Sequence, residues 1–457
     1  MGQHRVSRRG FVKAAAASAS AFVAPAIVPS RVLGALAPSN RIQVGAIGVG
    51  RISREHDLPG ILKQGVARVV AVCDLDSKRL GEGRQLVEDY YRKQGEASPG
   101  VRTFHDYRDL LATGDVDAVV ISTPDHWHAK PAVDAALAGK DIYLQKPASL
   151  TIAEGRLMSD VVHRTGRVFQ LGTQQRSSEQ FRVACELVRN GRIGDVRRIQ
   201  IGLPVDPSGD EEAEMPVPKN LDYDTWLGST RVVYYTEKRV HPQADYSRPG
   251  WLRCEQFGAG MITGWGVHHV DIAHWGMGAE HTGPVEVQAR AEFPQRGLWD
   301  VHGPYRVEAR YANGVLLDIS DAYPNGIRFE GTEGWIFVTR GAYAATASDP
   351  VAKEKSAEAL SASDPRILLS AIGPDGVHLV RSSDQHGNWL EAIRSRQPPI
   401  SPAEVGHRST SACLVGHIAM KLGRKLAWDP QRERFRDDDE ANAMVSRPQR
   451  PPYETRL

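Results

Sequence analysis

The sequence predicts a two-part α/β architecture: a doubly wound parallel sheet, then an α+β domain built on a large, open, mostly antiparallel sheet. Three observations carry this. Between residues 41 and 165, short apolar runs alternate with amphipathic stretches, the rhythm of strand–helix units whose strands lie parallel. The first run ends in Gly48-Val49-Gly50, a turn where backbone passes more closely than side chains allow. From 285 to 339, strand-like segments follow one another through short turns.

In the first domain, residues 40–171, strands are predicted at 41–47, 66–73, 101–104, 116–122, 142–144 and 168–171. Helices are predicted between them at 53–64, 77–93, 106–112, 128–138 and 151–165. The last opens on Thr151-Ile152-Ala153-Glu154, a capping box in which hydroxyl and carboxylate each accept from a backbone N–H. The second domain, residues 172–430, begins with a helix at 180–190 and a strand at 196–202. Residues 203–260, heavy in Pro, Asp and Tyr, read as loop, and Ala312-Asn313-Gly314 marks a hairpin. The final predicted helix is 406–423. Residues 431–457 are expected to be an extended tail, with Pro and Arg gathered in 447–457.

With 457 residues, 41% of them hydrophobic, the chain can bury the cores of about two to three domains. A net charge of only +2 argues against a nucleic-acid surface. Beyond the N-terminus no apolar stretch approaches the roughly 20 residues that span a bilayer, so no stable membrane insertion is expected. Cys73 ends a predicted strand, while Cys185 and Cys413 fall on predicted helices. With no Cys-x-x-Cys pair, the four cysteines read as core residues, not as a disulfide framework or a zinc site.

Ser7-Arg8-Arg9-Gly10-Phe11-Val12-Lys13, followed by the apolar run 14–28, reads as a twin-arginine export signal occupying residues 1–37. Small-x-small cleavage sites stand at Ala24-Pro25-Ala26 and Ala35-Leu36-Ala37. The chain is therefore expected to meet the twin-arginine machinery and to work in the periplasm or another extracytoplasmic space.

Where strand one meets helix one, Gly48, Gly50, Arg51 and Ile52 form a turn suited to a pyrophosphate at a helix N-terminus. This is the fingerprint of a dinucleotide-binding Rossmann domain, with the small Ser53 in place of its third glycine. Asp74, at the end of strand two, is placed to accept from both ribose hydroxyls, which favours NAD, because a 2′-phosphate would be repelled. Lys78 and Arg79 close by keep NADP as the alternative. Export and cofactor fit together: the twin-arginine route carries folded proteins, so a tightly held dinucleotide can travel inside.

Two further segments are specific in combination. They are Val119-Val120-Ile121-Ser122-Thr123-Pro124-Asp125-His126-Trp127-His128 and Ala136-Leu137-Ala138-Gly139-Lys140-Asp141-Ile142-Tyr143-Leu144-Gln145-Lys146-Pro147. With Trp226-Leu227-Gly228, the His-rich stretch 264–275 and Leu422-Gly423-Arg424-Lys425, they resemble the glucose-fructose oxidoreductase / inositol dehydrogenase / MocA family over nearly the whole mature chain. The exported branch acting on sugars and glycosides is the most similar.

The resemblance implies that Lys146 is catalytic, with Thr123, Pro124, His128 and Gln145 beside the cofactor, and that a cis peptide precedes Pro147. Independently, a lysine at the tip of strand five would face the ligand crevice and could exchange a proton. Two positions depart from the family pattern: Gln145 stands in place of a Glu, and Gly264 in place of an Asp one turn before the catalytic His. His268 and Asp271, three apart on a helix, match that His and its following Asp. They are expected to act as general base and partner.

Family analogy turns Gln174, Gln175 and Arg176 toward the crevice as substrate contacts. Trp265 and Tyr246 are candidates to stack on a sugar, and His269 is a further candidate. His268, His269, Asp271 and His274 are all metal-ligand types, yet adjacent histidines diverge by about 100° on a helix, so no metal is expected.

These readings converge on an NAD(P)-dependent oxidoreductase moving hydride between a sugar, glycoside or cyclitol hydroxyl carbon and a tightly bound nicotinamide. The alternatives are a redox-cycling glycosidase working by oxidation, elimination and reduction, and a non-catalytic sugar-binding protein. An open sheet in the second domain offers a face for a homo-oligomer.

Overall fold

Short apolar segments build the first sheet of this computed structural model, which describes residues 40–96, 100–341 and 358–456. The expected signal peptide, 1–37, lies outside the described residues. β1 (Ile42–Ile47), β2 (Ala67–Cys73), β3 (Arg102–Phe104), β4 (Ala118–Ile121), β5 (Asp141–Leu144) and β6 (Phe169–Leu171) run parallel in the order β3-β2-β1-β4-β5-β6. Every residue of β4 and β5 is buried, as strands covered on both faces must be. The intervening helices are α1 (Leu58–Leu62), α2 (Ser77–Lys93), α3 (Tyr107–Leu111), α4 (Ala129–Leu137) and α5 (Ile152–Thr165), the last opening on the expected Thr151/Glu154 capping box. Strand order reverses between β1 and β4, and sheets of this kind take their ligands beyond the carboxyl ends at that switch point.

Beyond β6 come α6 (Glu179–Arg189), β7 (Val196–Gly202), α7 (Tyr223–Leu227), α8 (Met261–Gly264) and α9 (Gly266–Met277). β8 (Glu286–Ala291), β9 (Tyr305–Arg310), β10 (Leu316–Ser320), β11 (Gly326–Gly331), β12 (Trp335–Val338) and β13 (Leu360–Ala362) follow. The chain ends with α10 (Pro365–Leu368), α11 (Gln385–Ser395), α12 (Ala403–Leu422), β14 (Leu426–Asp429), β15 (Arg434–Phe435) and α13 (Asp439–Ala443). The second sheet has the order β13-β12-β11-β7-β10-β9-β8-β14-β15, and within it only β7 and β10 pair in parallel. β8 and β9 alternate buried with more exposed residues, one face against α12. The expected hairpin joins β9 to β10, with Gly314 at φ +85°. All four cysteines are free and buried.

Three expectations need correction. Predicted helix 53–64 is a π-helical turn, Ser53–Asp57, followed by the short α1, and Pro59, with no N–H to extend a ladder, sits at the junction. The tail 431–457 is not simply extended. It holds β15 and α13, because Phe435 is fully buried against Trp428 and Asp438 caps the helix by accepting from Ala441 N–H. Helix 406–423 is real but begins at Ala403 and is not the last.

α11 was not foreseen. Its polar opening, Gln-His-Gly-Asn, hides an apolar face of Trp389, Leu390 and Ile393 that packs into the core of the first sheet with Val44 and Ala46.

Candidate active site

The turn after β1 is shaped by contact with the turn after β4. Gly48 has φ +82°, and a Cβ there would lie 3.0 Å from the backbone of Ser122 and Thr123, so glycine is required twice over. Asp74 closes the same turn from β2: one carboxylate oxygen accepts from Val49 N–H (2.8 Å), the other from Asp76 N–H (2.9 Å). A carboxylate has about four acceptor positions, so capacity for ribose hydroxyls remains.

One cavity of about 290 Å³ is lined by every expected cofactor residue: Gly48, Gly50, Arg51, Ile52 and Asp74 on one side, Thr123, Pro124, His128, Gln145 and Lys146 on the other. The glycine turn, a helix N-terminus and a carboxylate with spare acceptor capacity are the groups that would hold a dinucleotide. When bound, the group supplies a hydride acceptor at the switch point.

The far wall comes from the second half of the chain, with His241, Arg248, Trp251 and Tyr453 lining the same cavity. Segment 241–246 is fastened to α2. Lys78 donates to Gln243 O (2.6 Å), Arg79 to Pro242 O (2.8 Å), and His241 Nε2 to Asp76 (3.1 Å). Tyr246 lies between two guanidinium groups, Arg54 at 4.3 Å and Arg79 at 4.5 Å from its ring, and its hydroxyl donates to Glu82. Tyr246 is therefore a clasp that fastens segment 241–246 to α2, with the guanidinium groups of Arg54 and Arg79 taking the ring faces expected to stack on a sugar, and Lys78 and Arg79 hold that clasp.

Lys146 stands at the tip of β5. Its peptide bond to Pro147 is cis, and Nζ donates to Gly264 O at 2.7 Å. His128 lies between the two turns, Nε2 2.9 Å from Thr123 O and Nδ1 2.5 Å from Pro147 O; burial pushes its imidazole down to about 4, so the neutral ring donates to one of these carbonyls and not both. Gln145 does not face a charge of its own. Its amide nitrogen donates to Asp57 (2.8 Å), which also accepts from Ser122 Oγ (2.6 Å) and His386 Nε2 (3.0 Å). Trp226-Leu227-Gly228 meets the β4 turn: Trp127 and His126 both reach Trp226 O, and a Cβ on Gly228 would strike the Trp127 ring at 2.7 Å.

The His-rich helix is arranged differently from expectation. Asp271 does not orient His268. It is fully buried and pairs with Arg176 (2.6 and 2.9 Å), while Ser409 Oγ donates to it at 3.0 Å. Arg176 in turn donates to Glu280 (2.7 Å) and Ile400 O (3.1 Å), so it is an internal tie and not a substrate contact. Sharing a helix face brought His268 and Asp271 near one another, but a guanidinium outcompetes an imidazole for a buried carboxylate.

Gln175 donates to His268 O (2.9 Å) and His269 Nδ1 (3.3 Å) and accepts from Arg340 Nε (3.2 Å). His269 then carries its proton on Nε2 and donates to Asn325 Oδ1 (2.8 Å). Trp265 is buried between the His268 and His269 rings and the Arg340 guanidinium, 4.4 Å from its centroid, with no face left for a sugar. Gln174 donates to Tyr143 OH (3.3 Å). None of Gln174, Gln175, Arg176, Trp265, His268, His269 or Asp271 lines the cavity.

Burial, then Arg340 and Lys146, hold His268 well below the usual imidazole range, so it is neutral at pH 7. Among the described residues no group of three His, Cys, Asp or Glu side chains is placed to hold a metal ion. No helix among them is long and apolar enough to cross a membrane.

Sequence reasoning passed over several residues here. Asp125 stands inside the Thr123–His128 motif with no spacing signal of its own. It is buried yet lines the cavity, and burial lifts its carboxyl to about 7 against the pull of Lys146. Asp57 and His386 carried no signal, since α11 was itself unforeseen. Gly264 is open: a Cβ there would meet nothing within 4 Å, and it lines the cavity beside Lys146.

Two sequence models of one family match, described as "Oxidoreductase family, NAD-binding Rossmann fold" over residues 42–173 and "Oxidoreductase family, C-terminal alpha/beta domain" over 207–355 and 377–455. The chain belongs to the Gfo/Idh/MocA family. Among curated relatives, a glycosyl hydrolase family 109 protein from Shewanella baltica (strain OS185) is 30% identical over 207 residues, which cover 42% of this chain and 45% of that protein. The match thus spans less than half of the relative's length.

Solved structures share the fold. The WlbA dehydrogenase from Bordetella pertussis, in complex with NADH and UDP-GlcNAcA, gives a TM-score of 0.58 at 19% identity, covering 85% of this chain and 99% of that one. Scyllo-inositol dehydrogenase from Lactobacillus casei gives 0.55 at 17% identity, covering 85% and 98%. Like its family, this Gfo/Idh/MocA oxidoreductase carries an NAD-binding Rossmann domain.

Two outcomes follow from this geometry. Arg176→Met leaves Asp271 buried without its cation and is expected to lower unfolding stability by about 3–5 kcal/mol, read by urea denaturation. Tyr246→Ala removes the clasp and is expected to speed NAD release by roughly tenfold in a stopped-flow displacement assay, the scale of the lost cation–π contacts.

Proposed function

We propose that the protein moves hydride between the hydroxyl carbon of a sugar, glycoside or cyclitol and a tightly held NAD. The observation that carries this reading is the single cavity in which every cofactor candidate, Lys146 and the open space at Gly264 meet. Asp74 selects NAD by accepting ribose hydroxyls where a phosphate would be repelled. Lys146, fixed by Gly264 O and surrounded by buried groups, donates a hydrogen bond to the reacting oxygen and stabilises negative charge as its O–H bond breaks. Walls from both halves of the chain line the space where hydride would transfer. His268, neutral at pH 7, is poorly suited to storing a proton and acts here by hydrogen bonding and shape.

A second reading, redox-cycling hydrolysis of a glycoside, is favoured by the glycosyl hydrolase family 109 relatives. It oxidises a ring carbon, eliminates the aglycone and reduces the product on the same NAD. A panel of glycosides and free sugars, assayed with and without added NAD, separates the two: aglycone release without added NAD supports hydrolysis, and NADH accumulation only with added NAD supports net oxidation.

Export completes the proposal. The segment around Arg8 and Arg9 would send the folded, NAD-loaded chain through the twin-arginine machinery to the periplasm, and the open face of the second sheet would pair with a second copy.

Lys146→Met is expected to lower turnover by roughly 100-fold or more while bound NAD, measured after acid precipitation, stays near wild type. Replacing Arg8 and Arg9 together by Lys is expected to strand active protein in the cytoplasm, as cell fractionation reads. Normal export of that double variant would end the twin-arginine reading.

A further inference from the structure

The reaction needs somewhere for the hydroxyl proton to go, and the groups first expected to take it are badly placed. Asp271 is consumed by Arg176 and Ser409, and His268 is neutral and outside the cavity lining. We infer that Asp125 is the catalytic base: the reacting hydroxyl lies between Asp125 and Lys146, accepting from the lysine Nζ and donating to the aspartate carboxylate. This rests on the reading of Lys146 as the group that binds the reacting oxygen.

Topology brings the two side chains together. β4 and β5 are adjacent and in register, Ile121 beside Leu144, so residue 125 and residue 146 rise from neighbouring strand tips. His128 packs between the two turns, within hydrogen-bond distance of Thr123 O and Pro147 O and donating to one of them. Both side chains line the one cavity, next to the open space at Gly264. Apart from the Asp125 backbone N–H, no group among the described residues donates to that carboxyl.

Gly258 approaches on the far side, where its Cβ position is 3.4 Å from Asp125 Oδ2, so the carboxyl is backed by glycine and opens to the cavity. Other charged or titratable groups on this wall are His128 and Lys130 from α4, Asp222 before α7, and Arg248. Of these and Lys146, only Lys146 moves the Asp125 carboxyl, pulling it down against burial to about 7, where a base exchanges protons readily.

The step balances simply. The substrate O–H bond breaks and its proton forms the Asp125 carboxylic acid. The C–H electron pair leaves as hydride to the nicotinamide, and the C=O bond forms. Lys146 remains an ammonium throughout, and loss of the Asp125 proton to solvent resets the site.

The test reads the pair without turnover. Lys146 in the NAD-loaded protein is labelled with trace acetic anhydride across pH and quantified by peptide mass spectrometry. Wild type is expected to show reactivity that depends on two ionisations, one near neutral pH. Asp125→Asn is expected to show one ionisation, with Lys146 several-fold more reactive at pH 8, and bound NAD unchanged as the control for folding. Identical profiles in the two proteins would overturn the pairing.

On whichever sugar of the panel turns over, Asp125→Asn should lose roughly 100-fold or more in kcat, and Asp125→Ala should recover part of it with added formate. Full activity in Asp125→Asn would overturn the base assignment while leaving Lys146 and the oxidoreductase reading intact. Full activity in Lys146→Met would instead overturn that reading, whatever the labelling shows.

Discussion

One buried carboxylate holds the catalytic side of this molecule in place. Asp57 has no exposed surface and accepts from Ser122 at the end of β4, Gln145 at the end of β5 and His386 on α11. It thereby joins the glycine turn, both catalytic turns and a helix more than three hundred residues away in sequence. A charge so buried is tolerable only because donors surround it. The π-helical turn Ser53–Asp57 ends on this residue, and a wide turn of this kind is commonly found where function needs an inward side chain. Gln145 fits the same logic. Where the family pattern has a glutamate, the amide here donates to Asp57, so the negative charge sits one side chain further from Lys146.

Much of the first half was legible because its signals are local. Apolar runs of fixed length, the Thr151 capping box and the Gly48 turn each depend on neighbours within a few residues, and β1, β2 and α2 fell within a residue of expectation. The candidate cofactor residues meet in one cavity because they sit at strand tips, and a parallel sheet brings all its strand tips to one edge.

What failed depends on distant partners. The spacing of His268 and Asp271 states that they share a helix face, but nothing local says that Arg176, nearly a hundred residues earlier, will take the carboxylate. Tyr246 and Trp265 are aromatic and near glycines, the usual cues for a sugar platform. Each is instead covered by arginines that arrive from other elements: Arg54 and Arg79 on the first, Arg340 on the second. α11 was missed because its four polar leading residues conceal an apolar face that only the first sheet reveals.

The charge distribution near Lys146 narrows the chemistry further. Both positions where the family pattern implied by the resemblance has a carboxylate are neutral here, Gln145 and Gly264. The histidines nearby are held neutral by burial, His128 at about 4 and His268 lower still than its usual range. A cation left alone in such a site would itself be driven to lose its proton. Asp57 spends its lone pairs on Ser122, Gln145 and His386 and so does not reach the cavity. Asp125 differs in kind: it opens to the cavity, is perturbed by Lys146 alone among its neighbours, and has acceptor capacity to spare. If Asp125 is the base, as proposed above, the neutral residues at 145 and 264 leave the acid–base chemistry to the β4 turn, across the crevice from the β5 turn.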